Sequence, residues 1–206
     1  MNKKIYTIGH SSHSIEGFIT ILKQHNITKL CDVRSTPYSR RYPQYNRETL
    51  EQELNKNNIS YRYLGGELGA RNKDAKSYMH GKIEFDCLVK NDTFKKGILL
   101  LMDEMKNNQI AIMCAEKDPI ECHRSILVAR YLEKINIAID HILDNGKLES
   151  HPDAINRLLR KLKLPEHDMF RSHEDMIDRA YNIQSKRIAY DESKEPTTEN
   201  NKKKAF

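Results

Sequence analysis

Short apolar runs alternate with amphipathic stretches along the first 143 residues. The runs predict strands over residues 4–8, 29–33, 60–64, 110–113 and 137–143. Between them, apolar residues recur every three or four positions, which predicts helices over 15–25, 48–56, 84–89, 93–107 and 119–134. Strands that alternate with helices are typical of a parallel sheet covered on both faces. We therefore expect a three-layer α/β/α sandwich with a mostly parallel sheet of about five strands.

The pattern changes after residue 144. Two basic, amphipathic helices are expected over 152–162 and 172–183, and the last sixteen residues are charged or small and lack any periodicity. The sequence therefore predicts an α/β domain over 1–150, a helical C-terminal extension over 151–190 that packs on it, and a disordered polar tail over 191–206.

Composition narrows the class of partner. The chain of 206 residues is 38% hydrophobic and 31% charged, with a net charge of +6, which favours an anionic small molecule or nucleic acid as the partner. No apolar run approaches the roughly 18 residues of a membrane helix, and no signal-peptide pattern follows the start. Four cysteines are too few for a disulfide framework, so the reducing cytoplasm is the expected compartment. Nothing in the pattern predicts an oligomeric state.

The densest chemistry lies in residues 114–124, between the predicted strand 110–113 and the helix that follows. These eleven residues contain two cysteines, one histidine, one arginine and three carboxylates. Asp118 fits the N-cap, Pro119 the first helical position and Glu121 the capping-box position. This interpretation places the next three residues, Cys122, His123 and Arg124, in the first turns of the helix, near the positive end of its dipole.

Arg124 falls near the buried side of that predicted helix. A guanidinium stays charged there, so it needs a carboxylate or a bound anion beside it. Two interpretations are open: a structural salt bridge to Glu116 or Glu121, or an anion site at a helix N-terminus that faces the carboxyl edge of the sheet.

Other polar residues follow the remaining strands. His10 comes just after the first strand, and Asp32 and Arg34 flank Val33 at the end of the second. The carboxyl ends of parallel strands lie along one edge, so these residues are expected to converge with Cys114. Asp32 and Arg34 either pair with each other or serve the site.

The segment over 34–47 interleaves arginines with tyrosines, among them Arg40, Arg41 and Tyr42, and five of the chain's ten tyrosines lie between positions 38 and 63. Aromatic rings beside guanidinium groups suit stacked bases and phosphates, which favours a ligand-facing loop over one whose tyrosines pack on the domain. A polar stretch over 65–83 is expected to form a mobile flap.

Several blocks together resemble the bacterial and archaeal family DUF488: Thr7-Ile-Gly-His-Ser11, Asp32-Val-Arg34 with Pro37 and Ser39, Tyr63-Leu64 with Leu68-Gly69, Cys114-Ala-Glu116 with Pro119, and Cys122-His-Arg124. The resemblance implies a three-layer α/β/α domain. It also implies a shared polar site of Gly9, His10, Asp32, Arg34, Ser39, Cys114, Glu116, Cys122, His123 and Arg124. The family carries no settled activity, so the resemblance predicts the fold more sharply than the reaction.

Our first hypothesis is an enzyme that acts on a nucleotide or nucleic acid. Its catalytic groups would be Cys114, Glu116, Cys122, His123 and His10, with a thiol as the nucleophile. Its substrate would be held by Arg34, Asp32, Ser39, Arg124, Arg40, Arg41 and Tyr42. One alternative is a nucleic-acid-binding module without catalysis.

The other alternative is a metal site made of Cys114, Cys122, His123 and His10. It is disfavoured because adjacent Cys and His side chains rarely both reach one ion from a helix. The sequence therefore predicts no metal and no cofactor.

Overall fold

A six-stranded sheet forms the centre of the protein. The computed structural model describes residues 4–71, 77–79, 81–165 and 171–191. The strands of the sheet are β1 (Lys4–Gly9), β2 (Lys29–Asp32), β3 (Ser60–Tyr63), β6 (Ile110–Cys114), β7 (Ala138–Ile142) and β8 (Leu148–Ser150). They are ordered β3-β2-β6-β1-β7-β8, and β8 alone pairs antiparallel. A separate hairpin joins β4 (Tyr78–Met79) to β5 (Lys82–Ile83).

Helices cover both faces of the sheet. The α-helices are α1 (Ile15–Gln24), α2 (Arg47–Lys56), α3 (Gly65–Leu68), α4 (Phe85–Leu88), α5 (Asp92–Glu104), α6 (Arg130–Lys134), α7 (His151–Lys161) and α8 (His173–Ile188). Short 3₁₀ turns span Pro43–Tyr45 and Pro119–Glu121, and a π-helical segment spans Arg124–Ala129. None of the helices within the described ranges is long and apolar enough to cross a membrane.

The core is divided in two by the sheet. One cluster packs Phe18 and Leu22 of α1 and Leu50 of α2 against Met113 of β6. The other packs Ile112, the neighbouring residue of β6, against helices of the opposite layer. A strand buried on both faces carries a continuous apolar run, which is the pattern of Ile110–Cys114. The predicted three-layer α/β/α sandwich with a mostly parallel sheet is confirmed.

The last two helices belong to the same core. Leu158 and Leu159 of α7 and Met176 and Tyr181 of α8 lie in the cluster that includes the sheet residue Ile112. The boundaries predicted at 150 and 190 stay predictions, and residues 192–206 of the predicted tail lie outside the described residues.

β8 was not predicted. It follows a turn in which the Gly146 N–H donates to the carbonyl of Leu143 at 2.9 Å and Gly146 has a φ of +77°. The strand is three residues long, with Leu148 largely exposed, so it carries no apolar alternation that sequence periodicity could detect.

The predicted continuous helix over 119–134 is wrong at Cys122, where the helical geometry is interrupted. The 3₁₀ turn ends at Cys122, whose backbone is extended (φ −134°, ψ 141°), and helical geometry resumes only at His123 (φ −61°, ψ −24°). Asp118 caps the turn by accepting from the N–H of Ile120 at 3.2 Å. The carboxylate of Glu121 does not close a capping box: it pairs with Lys161 of α7 instead.

Candidate functional site

Three strand ends meet at one edge of the sheet. Gly9 is in register with Cys114, and Asp32 with Met113. Beyond these pairs, the N–H of His10 donates to the carbonyl of Cys114 at 2.9 Å. The strand pairing therefore brings His10, Asp32 and Cys114 to the same edge of the sheet, as predicted.

Cys114, Cys122 and His123 form a buried cluster at this edge. The Nδ1 atom of His123 lies 3.7 Å from the Cys114 sulfur and 3.9 Å from the Cys122 sulfur, and the three atoms all lie within 4.8 Å of one another. His123 Nε2 lies 3.0 Å from the carbonyl oxygen of Val33. A carbonyl only accepts, so Nε2 carries the proton and the lone pair of Nδ1 faces the two sulfurs.

The extended backbone at Cys122 makes this cluster possible. On a regular helix, neighbouring side chains diverge by about 100° and do not meet. The break between Cys122 and His123 removes that restriction, so both side chains reach the Cys114 sulfur. The sequence argument against a shared site for Cys122 and His123 therefore fails, because it assumed a helix that does not form there.

Glu116 borders the cluster. Its carboxylate accepts from the Cys122 thiol at 2.9 Å. Its backbone carbonyl accepts from Nη1 of Arg124 at 2.7 Å, and the carbonyl of Lys117 accepts from Nη2 at 3.2 Å. Arg124 is fully buried, and its guanidinium donates to backbone carbonyls of the loop after β6 rather than to the predicted carboxylate of Glu116 or Glu121.

The two thiols differ in acidity. Burial and the neighbouring Cys122 raise the pKa of Cys114 well above the usual range. Burial acts in the same direction on Cys122, but Cys114, Arg124 and His123 together hold the pKa of Cys122 well below its usual value. Of the two thiols, Cys122 is therefore the more acidic.

A pocket of about 300 Å³ opens beside the cluster. Its lining comes from the ends of β2 and β6, from the segment after α3, and from the C-terminal segment after α8: Arg34, Ser35, Thr36, Ala70, Arg71, Cys114, Ala115, Glu116, Glu121, Cys122, His123, Ile188 and Tyr190. The guanidinium of Arg71 stacks on the Tyr190 ring at 4.4 Å. The sequence interpretation missed Ser35, Thr36, Arg71, Ile188 and Tyr190.

The flap predicted over 65–83 begins as the short helix α3, and residues 72–76 and 80 lie outside the described residues.

His10 lies on the other face of the sheet. Its ring stacks on that of Tyr45 with centroids 4.2 Å apart, and Tyr45 belongs to the core cluster of α1 and α2. Burial, followed by the charge of Arg34, lowers the pKa of His10 to about 4. Among the residues that the structure describes, His10 is not part of the pocket lining.

Asp32 and Arg34 form a buried ion pair. Nε of Arg34 lies 3.0 Å and 3.1 Å from the two carboxylate oxygens, and Nη2 lies 2.7 Å from one of them. The carboxylate also accepts from the Tyr61 hydroxyl at 2.7 Å, and Nη2 donates to the carbonyl of Tyr45. Asp32 and Arg34 therefore pair with each other, which was one of the two interpretations left open by the sequence. The pairing holds the Arg34 side chain in the wall of the pocket.

The segment over 34–47, which interleaves arginines with tyrosines, is only partly exposed to a ligand. Arg40 and Arg41 are exposed, and the guanidinium of Arg41 lies 5.4 Å from the centre of the Tyr42 ring. The N–H of Ser39 donates to Asn46 at 2.7 Å, which closes the loop on itself. Tyr45 is fully buried, so it cannot stack on a base.

The comparison with protein families shows which family this chain matches. Residues 14–132, more than half of the chain, match the family described as domain of unknown function DUF488. The chain belongs to the DUF488 family. No relative is found among curated proteins. The matched range contains the whole cluster of Cys114, Cys122 and His123 together with Glu116, whereas α7, α8 and Tyr190 lie beyond it.

Proposed function

We propose that this DUF488 protein is an enzyme whose active site is the pocket beside Cys114, Cys122 and His123. One observation carries the proposal: two sulfurs and an imidazole nitrogen lie within 4.8 Å of one another in the wall of a pocket, with a carboxylate 2.9 Å from one sulfur. A stable core at this place needs only apolar side chains. Polar and ionisable groups gathered in a cleft are instead typical of functional sites.

The substrate that suits this pocket is small and anionic. A volume of about 300 Å³ is at the lower end for small-molecule sites, so a nucleotide or a similar phosphate-bearing compound is the class we infer. Arg34 and Arg71 supply positive charge to the wall, and Ser35 and Thr36 supply hydroxyl groups. Tyr190, with the Arg71 guanidinium on its ring at 4.4 Å, adds an aromatic group to the wall.

The residues have different roles in this proposal. Cys114, Cys122 and His123 present electron pairs to the reacting atom, and Glu116 carries a proton to or from it. Arg34, held by Asp32, contacts the anionic group. His10, Ser39 and Arg124 support the site from outside the pocket: the first two position the loops around it, and Arg124 holds the loop that carries Glu116. The four cysteines are free, which suits the cytoplasm as the compartment.

A panel of nucleotides and phosphomonoesters tests the proposal. Binding to the native state raises the melting temperature, and mass spectrometry detects product. We expect at least one compound to be converted by the wild type, with the activity lost in Cys122→Ser and kept in Cys87→Ser, whose cysteine is exposed and far in sequence from the cluster. Failure to convert any compound, or equal turnover by Cys122→Ser, would argue against an enzyme at this site.

A second measurement distinguishes a nucleic-acid substrate from a small nucleotide. Removing Arg40 and Arg41 together would weaken binding of a single-stranded oligonucleotide and reduce its salt dependence by roughly one phosphate contact each. If a small nucleotide binds wild type and the double variant equally, and the oligonucleotide binds neither, the substrate is the small molecule.

A further inference from the structure

The spacing of the three donor atoms matches that of ligands on one metal ion. In a tetrahedral zinc site, with bonds of about 2.3 Å to sulfur and about 2.0 Å to nitrogen, a sulfur and a nitrogen ligand lie about 3.6 Å apart. His123 Nδ1 lies 3.7 Å from Cys114 Sγ and 3.9 Å from Cys122 Sγ. Both sulfur–nitrogen distances are therefore close to ligand spacing, and the two sulfurs lie within 4.8 Å of each other.

Thiol hydrogen bonds hold the cluster together while both sulfurs carry protons. Cys114 lies 3.7 Å from Nδ1 of His123, and Cys122 donates to the Glu116 carboxylate at 2.9 Å. Once the thiols lose their protons, two thiolates and the lone pair of Nδ1 converge, and a divalent ion attracts all three at once.

The surroundings of the cluster are those of a supported metal site. His123 donates its other ring N–H to the carbonyl of Val33 at 3.0 Å, which orients the ring and leaves Nδ1 for a metal. The backbone N–H of Arg124 donates to the Cys122 sulfur at 3.4 Å, the kind of contact that stabilises a thiolate ligand. All three residues are held by buried backbone, so the site needs little rearrangement to bind an ion.

We propose that Cys114, Cys122 and His123 bind one Zn²⁺ ion. Two thiolates and an imidazole are donors that favour zinc over magnesium or calcium, and two thiolates balance its charge. Binding releases the protons that the thiols carry. Three protein ligands would leave a fourth position for water or substrate, as catalytic zinc sites require, and all three residues line the same pocket as Glu116. This inference rests on the proposed function, because it names the reactive group of that same pocket.

Metal content and cobalt spectroscopy test the inference without any substrate. The full-length chain, without an affinity tag, is stripped with a chelator under reducing conditions and titrated with Zn²⁺ or Co²⁺. We expect one equivalent to bind, with thiolate-to-cobalt charge-transfer absorption and the visible bands of a tetrahedral site. Zn²⁺ should also raise the melting temperature of the wild type. A wild type that shows neither stoichiometric zinc nor thiolate–cobalt absorption overturns the inference.

Variants locate the ion. Cys114→Ser and Cys122→Ser should each weaken Zn²⁺ binding on the order of 100-fold or more, since even residues outside the ligand set change metal affinity by about 10–100-fold. Cys87→Ser is the matched control and should bind as the wild type does. Circular dichroism of each variant shows that it is folded. Because the cobalt spectrum of the wild type needs no substitution, it decides the question if a variant fails to fold. Unchanged binding in a folded Cys122→Ser protein overturns the inference.

The two proposals fail in different ways. A protein that binds no metal but converts a nucleotide refutes the zinc site and keeps the enzyme. A protein that binds one zinc through these residues but converts nothing refutes the enzyme and keeps the metal site.

Discussion

Gly9 and Glu116 approach each other so closely that a Cβ atom on Gly9 would lie 1.9 Å from the carbonyl oxygen of Glu116. That carbonyl also accepts from Nη1 of Arg124 at 2.7 Å. The end of β1, the loop after β6 and the start of the next helical segment are therefore held at one point. The position of the Glu116 side chain beside Cys122 depends on a glycine in another strand.

Gly9→Ala should therefore destabilise the protein by at least about 2 kcal/mol, because its Cβ meets backbone that cannot move without displacing Arg124. Urea unfolding monitored by circular dichroism measures the change. Gly66→Ala is the matched control: a Cβ there meets nothing within 4 Å, so its stability should equal or slightly exceed that of the wild type. Equal stability of Gly9→Ala and the wild type would contradict the close approach.

Arg124→Met should cost roughly 3 kcal/mol of stability. The variant keeps the buried aliphatic stem but leaves the carbonyls of Glu116 and Lys117 without their charged donors. Chemical denaturation measures the loss, and Arg40→Ala, at an exposed position, should stay within about 0.5 kcal/mol of the wild type. If Arg124→Met is as stable as the wild type, Arg124 does not hold the loop.

Asp32→Asn should be among the most damaging single changes, with a loss on the order of 3–5 kcal/mol. It leaves the buried guanidinium of Arg34 without its counter-charge. A second substitution, Arg34→Gln, should recover part of the loss, and a double-mutant cycle measures the coupling. The exposed pair of Asp103 and Lys106 is the control, since Asp103→Asn should cost less than about 1 kcal/mol. Additive effects at Asp32 and Arg34 would contradict a buried pair.

Stability should fall between pH 6.5 and pH 4. Burial lowers the pKa of His151 to about 4 and that of His141 well below its usual range, and His10 is lowered to about 4 as well. In the unfolded chain these rings bind protons below about pH 6.5, but in the native state His10 and His151 do not until about pH 4, and His141 also resists protonation. Their contribution to stability is thus present above pH 6.5 and is lost as the pH falls, by up to about 2 kcal/mol at pH 5 for each of His10 and His151.

His123 acts in the opposite direction. Burial would lower its pKa, but Cys122 and Glu116 raise it above the usual value, so its contribution increases toward low pH. Urea midpoints at pH 7.5, 6 and 5 measure the balance, and we expect a net decrease because three rings oppose one. His151→Gln should flatten the profile, because it removes one of the rings whose pKa is lowered in the native state. A profile of the same steepness in His151→Gln would contradict the assignment.

The sequence by itself determined the layers and the edge of the sheet that carries the site. The buried strand Ile110–Cys114 and the inward face of α1, with Phe18 and Leu22, can be predicted from the local spacing of apolar residues. That spacing depends only on neighbouring residues in the sequence. Because parallel strands end at one edge, the convergence of His10, Asp32 and Cys114 followed from the fold class alone.

The tertiary structure decided which of these residues share a pocket. His10 and Cys114 follow paired strands, yet the His10 ring stacks on Tyr45 on one face and the Cys114 sulfur meets His123 on the other. Cys122 and His123 converge because the backbone breaks between them, and in that geometry Cys122 bonds Glu116 in the preceding loop while His123 bonds Val33, 90 positions away. Periodicity reports which side of a regular element is buried. It carries no information about a bond between residues 90 positions apart, and such bonds form this site.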